Sequence, residues 1–524
     1  MFNQSMYDYM INTTSCLPDS NKMLSFYGKI IDRKRFIKDV ENIAAYLQSI
    51  GVKKGDNVVI CLGNLPSAVI SFYAVNRCGA IANVLHPLTK DETLKKIEKQ
   101  MHPKCYIMFD EFYNSYSLFK EIDVNVILCS ALDYLIGLYK PFYGLCSAKR
   151  RKGIALSNKV VRFSKISATG FNRVDISGDD IAIYMHSSGT TGESKTACLS
   201  NSAYNHLADN LIKTAYEGEL KSGKEGMLMV LPMFHTFGLG VSLHASLCLG
   251  TRTILVPKFN TTYVSLLIKF SPVNIIPGVP NMFRKLAHCG LFNGRSLKKI
   301  IDCFCGGDKL PNDVKEEFEG KCQKAGSSLV IAEGYGLTEC GVCLLNVQKA
   351  HKDGSIGKPV YGCDAKILDE NNNEVEVGKI GYLYIKANSA MSGYYNDDKK
   401  ASEWFYTGDM AFIDEDKNVF FVDREKRLIK IAGVNVFPQE IENIVNEIKE
   451  VNLSCAKECV INNKKAIRLY VELKEGITLN DHIKNDINSA INNKLLKYSK
   501  PKEIVQIDKM PINAIGKVDF NKLK

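Results

Sequence analysis

The sequence lacks any uninterrupted hydrophobic run long enough to cross a membrane as a helix. Its most apolar region, residues 227–257, contains His235, His244 and Arg252 and is interrupted by Pro232 and several glycines, which is typical of a buried core segment. The amino terminus, MFNQSMYDYM, has no basic stretch followed by an apolar run, so it is not a secretory signal. Internal repeats and low-complexity tracts are also absent. What remains, with 45% hydrophobic and 24% charged residues, is the composition of a soluble globular enzyme.

The cysteines lack the spacing of a zinc or redox site, although the chain contains 17 of them. Their number is odd, and pairs such as Cys303 and Cys305, or Cys455 and Cys459, match no metal-binding signature. We therefore expect buried, reduced thiols and a cytoplasmic protein.

The formal charge of +11 comes mostly from dispersed lysines. The one dense basic run, residues 149–152 (KRRK), lacks the interleaved aromatics of a nucleic-acid reader, so nucleic acid is not an expected partner. A surface helix and a solvated loop are the favoured interpretation of the surrounding segment 134–152. The alternative is a peripheral contact with an anionic membrane, since apolar and aromatic residues precede the basic run, namely Leu135, Ile136, Leu138, Tyr139, Phe142 and Tyr143.

The length of 524 residues predicts at least two domains, because single cores stop growing at roughly 250 to 300 residues. Up to about residue 423, helical patterns alternate with short apolar runs, which is typical of strands buried on both faces of α/β sheets. These runs are residues 56–62, 105–109, 124–128, 181–185, 227–231 and 253–256.

A smaller α+β unit is predicted after the charged stretch 423–427, which is also a candidate hinge. A helix begins at Pro438, a strand pair covers 453–461 and 466–473, and another helix covers 480–497. We therefore predict domains at 1–424 and 425–524.

A polar loop after the apolar run 181–185 is the strongest single motif. Its glycines let backbone N–H groups approach an anion, its hydroxyls add donors and its lysine adds charge, so it suits a polyphosphate. The glycine spacing does not match a Walker loop, and a plain surface turn is the alternative. The loop consists of Ser187, Ser188, Gly189, Thr190, Thr191, Gly192, Glu193, Ser194 and Lys195.

Together with four further segments, this loop resembles the signature of the adenylate-forming superfamily, which includes acyl-CoA synthetases, firefly luciferase and the adenylation domains of peptide synthetases. The segments are LPMFHTFG (231–238), EGYGLTEC (333–340), WFYTGDM with VDREKRLIKIAGVNVFPQEIE (404–442) and PINAIGK (511–517). Five motifs in the same order are highly specific. The resemblance implies an acyl-CoA synthetase-like fold, with a large multi-subdomain N-terminal α/β domain and a small, mobile α+β C-terminal domain.

The resemblance also implies roles in nucleotide binding. Tyr335, between Gly334 and Gly336, would stack on adenine, while Thr338 would contact the α-phosphate. Mg²⁺ would be held by Glu339 and Thr190. The ribose hydroxyls would bind Asp409, and Arg424 would reach the ribose or the α-phosphate. Taken alone, each of these residues has an ordinary structural interpretation as a turn or surface residue.

The remaining roles implied by the resemblance concern the acyl group and the two half-reactions. His235 would border the acyl carboxylate, and Lys517 would stabilise the adenylation transition state. The domain would pivot at Lys426, bringing Gly433 and Lys430 to the face where the thioester forms. Gly307, with Gly306 and Gly334, would leave an open acyl tunnel.

The expected reaction is acid plus ATP and CoA giving acyl-CoA, AMP and diphosphate, catalysed by an AMP-forming acid–thiol ligase. CoA is preferred to a carrier-protein thiol because no carrier domain follows Lys517, and a fatty or aromatic acid is preferred because residues 231–238 contain no acidic residue to bind an amino group. A carrier-protein-loading enzyme, a catalytically silent nucleotide-binding protein and a luciferase-like oxidase stay as alternatives. Two departures from the family pattern, Ser194-Lys195-Thr196 and Ser200-Asn201, concern nucleotide affinity rather than reaction class. The oligomeric state stays open.

Overall fold

A computed structural model describes residues 2–137, 139–186, 195–219, 223–397, 402–431, 434–461, 464–512 and 518–523. A π-helix, Phe237–Ala245, runs directly into one of the α-helices. The α-helices in the described ranges are α1 (Met6–Thr13), α2 (Arg33–Ser49), α3 (Pro66–Arg77), α4 (Asp91–Met101), α5 (Leu118–Glu121), α6 (Tyr139–Arg151), α7 (Asn201–Tyr216), α8 (Ser246–Cys248), α9 (Thr261–Phe270), α10 (Pro280–Ala287), α11 (Asn312–Lys324), α12 (Pro438–Asn446) and α13 (Asp481–Lys494).

The strands of the same ranges are β1 (Lys22–Phe26), β2 (Lys29–Asp32), β3 (Asn57–Cys61), β4 (Ile81–Leu85), β5 (Cys105–Phe109), β6 (Asn125–Cys129), β7 (Val160–Arg162), β8 (Ile181–His186), β9 (Thr196–Ser200), β10 (Gly226–Met229), β11 (Arg252–Leu255), β12 (Val273–Gly278), β13 (Asp302–Gly306), β14 (Ala332–Leu337), β15 (Gly341–Leu345), β16 (Lys358–Pro359), β17 (Cys363–Leu368), β18 (Gly381–Ala387), β19 (Gly393–Tyr394), β20 (Phe405–Ile413), β21 (Val419–Arg424), β22 (Ile429–Ile431), β23 (Val434–Val436), β24 (Val451–Ile461), β25 (Lys464–Leu473) and β26 (Glu503–Gln506).

Two large, mostly parallel sheets form the main body. One has eight strands in the order β19-β9-β8-β4-β3-β5-β6-β7, and the other has nine in the order β16-β15-β14-β13-β12-β10-β11-β1-β2. Every residue of β3 and β4 is buried, as expected for strands covered by helices on both faces. All six strands predicted from apolar runs are present, with ends that agree to within two residues. The α/β prediction is confirmed.

A four-stranded antiparallel sheet, β17-β18-β20-β21, follows. Its last hairpin turns at residues 414–418, where the Asp414 side chain accepts hydrogen bonds from the backbone N–H and the side-chain amide of Asn418. This sheet packs through Ile367, Leu383 and Ala411 against Leu344 of the nine-stranded sheet and against Cys340, which directly precedes β15.

The small carboxyl-terminal unit has a hydrophobic core of its own. Helices α12 and α13 pack on the sheet β24-β25-β26, and all members of that core lie between residues 429 and 504. Helix α12 begins at Pro438 as predicted, and Ile441 and Val445 are fully buried. Helix α13 is capped by Asn480, whose side chain accepts from the backbone N–H of Ile483. The parallel third strand, β26, was not predicted, because its residues show no alternating apolar pattern.

The predicted hinge is a short 3₁₀ turn, Glu425–Arg427, directly after β21. Polar contacts span it on both sides. The buried carboxylate of Asp423 accepts a 2.7 Å hydrogen bond from the backbone N–H of Gln439, and Arg427 pairs with Glu442. Lys426, between these contacts, is exposed.

Two further expectations concern the whole chain. Among the described residues, no helix has both the length and the apolarity to span a bilayer. All 17 cysteines are unpaired and most are buried, but Cys16 and Cys146 are exposed, so the prediction of buried thiols was wrong for these two.

Candidate functional site

Several predicted site residues lie outside the described residues, and their roles stay predictions. They are Ser187, Ser188, Gly189, Thr190, Thr191 and Gly192 of the polyphosphate loop, Gly433, and Lys517. The loop is nevertheless bounded by two described strands, β8 and β9, which pair antiparallel in the eight-stranded sheet.

His186, the last residue of β8, forms hydrogen bonds with residues of β9 and of a third strand, β4. Its Nε2 lies 2.7 Å from Oδ1 of Asn83 on β4, and its Nδ1 lies 2.9 Å from Oγ1 of Thr196, the first residue of β9. Since the Asn83 oxygen can only accept, Nε2 carries the proton and Nδ1 accepts from the Thr196 hydroxyl. Burial lowers the pKa of His186 to about 4, so the ring is neutral at physiological pH. Both ends of the polyphosphate loop are thereby fixed by one imidazole.

Lys195 and Glu339 both contact Tyr394, one at its ring and the other at its hydroxyl. The Nζ atom of Lys195 lies 4.7 Å from the ring centre of Tyr394, and the Tyr394 hydroxyl donates a 2.9 Å hydrogen bond to Oε1 of Glu339. Tyr394 is held in place because β19 pairs with β9. The structure therefore brings the lysine of the polyphosphate loop close to the predicted Mg²⁺ ligand, although 144 positions separate them in sequence (339 − 195).

A second set of predicted residues converges where the nine-stranded and four-stranded sheets meet. The hydroxyl of Tyr335, on β14, donates a 2.6 Å hydrogen bond to Oδ2 of Asp409, on β20. Arg424 is paired with Asp409 across the β20–β21 hairpin, and its Nε lies 3.5 Å from Oδ1 of Asp409. Burial, followed by the charge of Asp409 and the hydrogen bond to it, raises the pKa of Tyr335 well above its ordinary value. Asp409 itself is 1% exposed.

The glycines beside Tyr335 have a packing reason. A Cβ atom on Gly336 would lie 2.3 Å from the carbonyl oxygen of Gly341, because the β14–β15 hairpin closes on itself at that point. A Cβ on Gly334 would lie 3.3 Å from the Leu345 side chain. Tyr335 lies in a strand and not in a turn, and Thr338 and Glu339 directly follow the end of that strand.

His235 lies in the turn before the π-helix. Its backbone N–H donates to the carbonyl of Pro232, and its ring lies 4.7 Å from that of Phe234. A Cβ on Gly238 would collide with the Pro232 carbonyl at 2.0 Å, so this sharp turn requires glycine there. Two residues after His235, the ring of Phe237 covers Gly306.

A small apolar cavity lies near the strand ends that carry Gly306 and Gly307. Gly307 has a positive φ of 86°, and a Cβ there would lie 3.7 Å from Val279. The cavity has a volume of about 130 Å³. It is lined by Val230, Leu231, Phe259, Val279, Asn281, Met282 and Lys285.

Lys430 belongs to a different sheet from these residues. It is exposed on β22, which pairs with β23 in a two-stranded sheet of the carboxyl-terminal unit. The structure thus joins Lys195 with Glu339, and Tyr335 with Asp409 and Arg424, whereas Lys430 lies apart.

Sequence reasoning missed His186, Asn83 and Tyr394. His186 directly precedes the polyphosphate loop, and its position there was the one available signal. Asn83 and Tyr394 carry no local signature, because their relevance comes from strand pairing across more than a hundred residues.

Comparison with known proteins shows which family this chain matches. A family model described as AMP-binding enzyme matches residues 24–395. The long-chain-fatty-acid–CoA ligase of Bacillus subtilis (strain 168) is 28% identical and covers 98% of this chain and 93% of its own length. The protein of the same name from Yersinia pestis is 28% identical, with 94% and 89% covered.

Among solved structures, the anthranilate CoA ligase AuaEII in complex with anthranoyl-AMP superposes with a TM-score of 0.84 at 20% identity. The match covers 100% of this chain and 97% of that one. At 20% identity this similarity supports the fold alone, which has a large amino-terminal and a small carboxyl-terminal domain.

Proposed function

Because the chain belongs to the AMP-binding enzyme family, we propose that it is an ATP-dependent carboxylic acid–CoA ligase. It converts an acid, ATP and CoA into acyl-CoA, AMP and diphosphate through an acyl-adenylate. The observation that carries the proposal is the convergence of three sheets at one place. The Lys195–Tyr394–Glu339 contacts join the eight-stranded and nine-stranded sheets, and the Tyr335–Asp409 bond joins the nine-stranded and four-stranded sheets.

The proposed roles follow from charge and position. Asp409 accepts hydrogen bonds from the ribose hydroxyls, Arg424 contacts the ribose or α-phosphate, and the ring of Tyr335 stacks on adenine. The polyphosphate loop with Lys195 binds the phosphates, and Thr338 contacts the α-phosphate. These groups orient the α-phosphate for attack by the acid. Lys517 supplies the positive charge that this attack requires, because the carboxylate and the α-phosphate are both anions.

The donor set fits Mg²⁺. Glu339 offers a carboxylate close to Lys195, and no group of three or more His, Cys, Asp or Glu side chains that could hold a metal occurs in the described ranges. Mg²⁺ in nucleotide sites is typically held by one or two protein oxygens together with the substrate phosphates. The ion would neutralise phosphate charge there.

We place the domain boundary at 424/425 and the pivot at Lys426. Two half-reactions need different groups at one site, and rotation of a small domain can exchange Lys517 for the region of Lys430 and Gly433. The separate core of the carboxyl-terminal unit and the exposure of Lys426 support this division.

The acid is proposed to be a fatty or aromatic acid, and a fatty acid is favoured by the names of the two curated relatives. The apolar cavity beside Gly307 supports a hydrocarbon group, since an apolar protein cavity of similar size can hold benzene. His235 would lie at the carboxylate end. We also propose a cytoplasmic location for the protein. A carrier-protein thiol is the alternative to CoA as the acceptor of the acyl group.

The test is a panel of straight-chain acids of increasing length and of benzoate-type acids, assayed for acid-dependent diphosphate release with and without CoA. We expect AMP, not ADP, as the nucleotide product and a CoA-dependent increase in turnover. If diphosphate release accelerates only with a phosphopantetheinyl carrier protein, the acceptor is the carrier-protein thiol and not CoA. ATP binding without diphosphate release for any acid would contradict the ligase proposal and favour a silent nucleotide-binding protein.

A further inference from the structure

Helix α6 exposes large apolar side chains on its outer face. Tyr139 is 55%, Phe142 70% and Leu145 80% exposed, and their spacing of three residues puts them on one stripe. The adjoining face packs inward through Ser147, which is fully buried, and Tyr143, whose hydroxyl is bonded to Glu111. The outer stripe is therefore a surface rather than part of the core.

The stripe continues across neighbouring elements. The ring of Tyr139 lies 5.4 Å from that of Tyr27, in the β1–β2 turn, and Tyr27 stacks on Tyr263 of α9 at 4.9 Å. Leu266 and Phe270, 39% and 83% exposed, lie three and seven residues after Tyr263 and so on the same side of α9. We call the surface formed by Tyr27, α6 and α9 the aromatic strip.

The two chain segments that contain α6 and α9 carry positive charge without negative charge. Residues 134–174, which include α6, contain nine Lys or Arg and no Asp or Glu. Residues 226–301, which include α9, contain eight Lys or Arg and again no Asp or Glu. Lys140, Lys149 and Lys258 are exposed within these segments. Of the basic side chains on α6, Arg150 is paired with Glu111.

We infer that the aromatic strip docks on the surface of an anionic phospholipid bilayer. Exposed aromatic and leucine side chains enter the interface between headgroups and acyl chains, while the surrounding lysines attract anionic headgroups. A second copy of this chain fits less well. A two-fold symmetric contact would place the same basic surface against itself, where like charges repel.

The position of α9 connects this surface with the proposed ligase activity. The helix begins two residues after Phe259, which lines the apolar cavity. Resting on the proposed function, this arrangement lets an acid dissolved in the bilayer reach the enzyme without crossing water. Binding to vesicles, in contrast, does not depend on catalysis.

The first experiment measures co-sedimentation of the full chain with vesicles of phosphatidylcholine containing phosphatidylglycerol, and with pure phosphatidylcholine vesicles. We expect binding to the anionic vesicles that weakens as salt is added. Phe142→Ser with Leu145→Ser, and separately Phe270→Ser, should each weaken binding about tenfold or more. The matched controls are Val377→Ser and Leu496→Ser, which change side chains that are 61% and 67% exposed elsewhere and should bind as wild type.

Charge and geometry are tested by two further experiments. Lys149→Glu with Lys152→Glu should weaken binding to anionic vesicles by more than about tenfold at low salt. The exposed Cys146, one turn after Phe142, can carry an environment-sensitive fluorophore in a Cys16→Ser chain. Its emission should shift to the blue with anionic vesicles, whereas a label on Cys16 in a Cys146→Ser chain should not respond.

Three outcomes would overturn the inference. One is no sedimentation with anionic vesicles at any salt concentration. Another is equal loss of binding in the control variants. The last is a wild-type dimer that the strip variants convert to monomer while vesicle binding is absent, which would make the strip a contact between copies. In all cases the strip variants should keep wild-type turnover of a short, water-soluble acid, so failure of this inference and failure of the ligase proposal are distinguishable.

Discussion

The hydroxyl of Tyr335 donates a 2.6 Å hydrogen bond to the buried carboxylate of Asp409, and this bond joins a strand of the nine-stranded sheet to a strand of the four-stranded sheet. The carboxylate is thus held by a residue that is itself proposed to contact the nucleotide. Binding of ribose and of adenine would be coupled through this single bond.

Substitutions at the two ends of the bond separate their roles. Asp409→Asn should raise the KM for ATP by about tenfold to a hundredfold, because hydrogen bonds to a charged group are lost. Tyr335→Phe keeps the ring and should raise this KM by less than about tenfold. Steady-state kinetics of both single variants and the double variant measure the coupling. Equal effects of the two single changes would mean that Asp409 acts only by holding Tyr335.

His186 is predicted to position the polyphosphate loop without contacting the acid. His186→Ala should raise the KM for ATP about tenfold and leave the KM for the acid unchanged, since Asn83 and Thr196 lose their shared partner. His186→Gln, which keeps a donor and an acceptor, should recover part of the loss. His482→Ala is the control, because that side chain is 84% exposed on α13. An effect on acid KM as large as that on ATP would contradict this role.

Lys517→Ala should abolish adenylation and largely spare thioester formation from supplied acyl-AMP. One well-placed charge contributes on the order of a hundredfold or more to rate, and only the first half-reaction uses it. Diphosphate release and acyl-CoA formation are measured separately. Lys522→Ala, at a side chain 65% exposed close by in sequence, should behave as wild type. An equal loss of rate in both half-reactions would contradict the model of two domain orientations.

Lys426→Pro should trap one domain orientation, because proline fixes φ near −65°. We expect the variant to keep acid-dependent diphosphate release and to lose transfer to CoA, with a thermal midpoint close to wild type since Lys426 is exposed. Lys426→Ala should keep both activities. Near wild-type acyl-CoA formation by the proline variant would place the pivot elsewhere.

Acid should destabilise the amino-terminal domain through His244. This residue is fully buried between the Tyr73 hydroxyl, 2.9 Å from Nδ1, and Oδ1 of Asn205, 3.2 Å from Nε2. Burial lowers the pKa of His244 to about 3, below its ordinary value near 6.5. The unfolded chain therefore binds a proton that the folded chain does not, and stability present above pH 6.5 falls as the pH drops toward 3. His244 should contribute about 1.4 kcal/mol per pH unit to the slope over this range.

Urea unfolding between pH 7 and pH 4.5 measures this slope. His244→Gln should reduce it by the contribution of one histidine, even if the variant is less stable throughout. An unchanged slope would show that other groups govern the acid response.

Much of the secondary structure could be predicted because its signals are local. The run Cys105–Phe109 is a strand with the predicted ends, and α12 begins at Pro438, where proline is accepted in the first helical turn. Strand β26 could not be predicted, because it is only partly buried and becomes a strand by pairing with β25.

The sequence by itself determined the family-like motifs, their order and the chemical types of the proposed site residues, because each motif is a short contiguous segment. Only the tertiary structure decided which side chains meet. His186 contacts Asn83 across 103 positions, Glu339 contacts Tyr394 across 55, and Tyr27 stacks on Tyr263. Such pairs depend on strand order and register, which are set by the packing of the whole chain rather than by the pattern of any one segment.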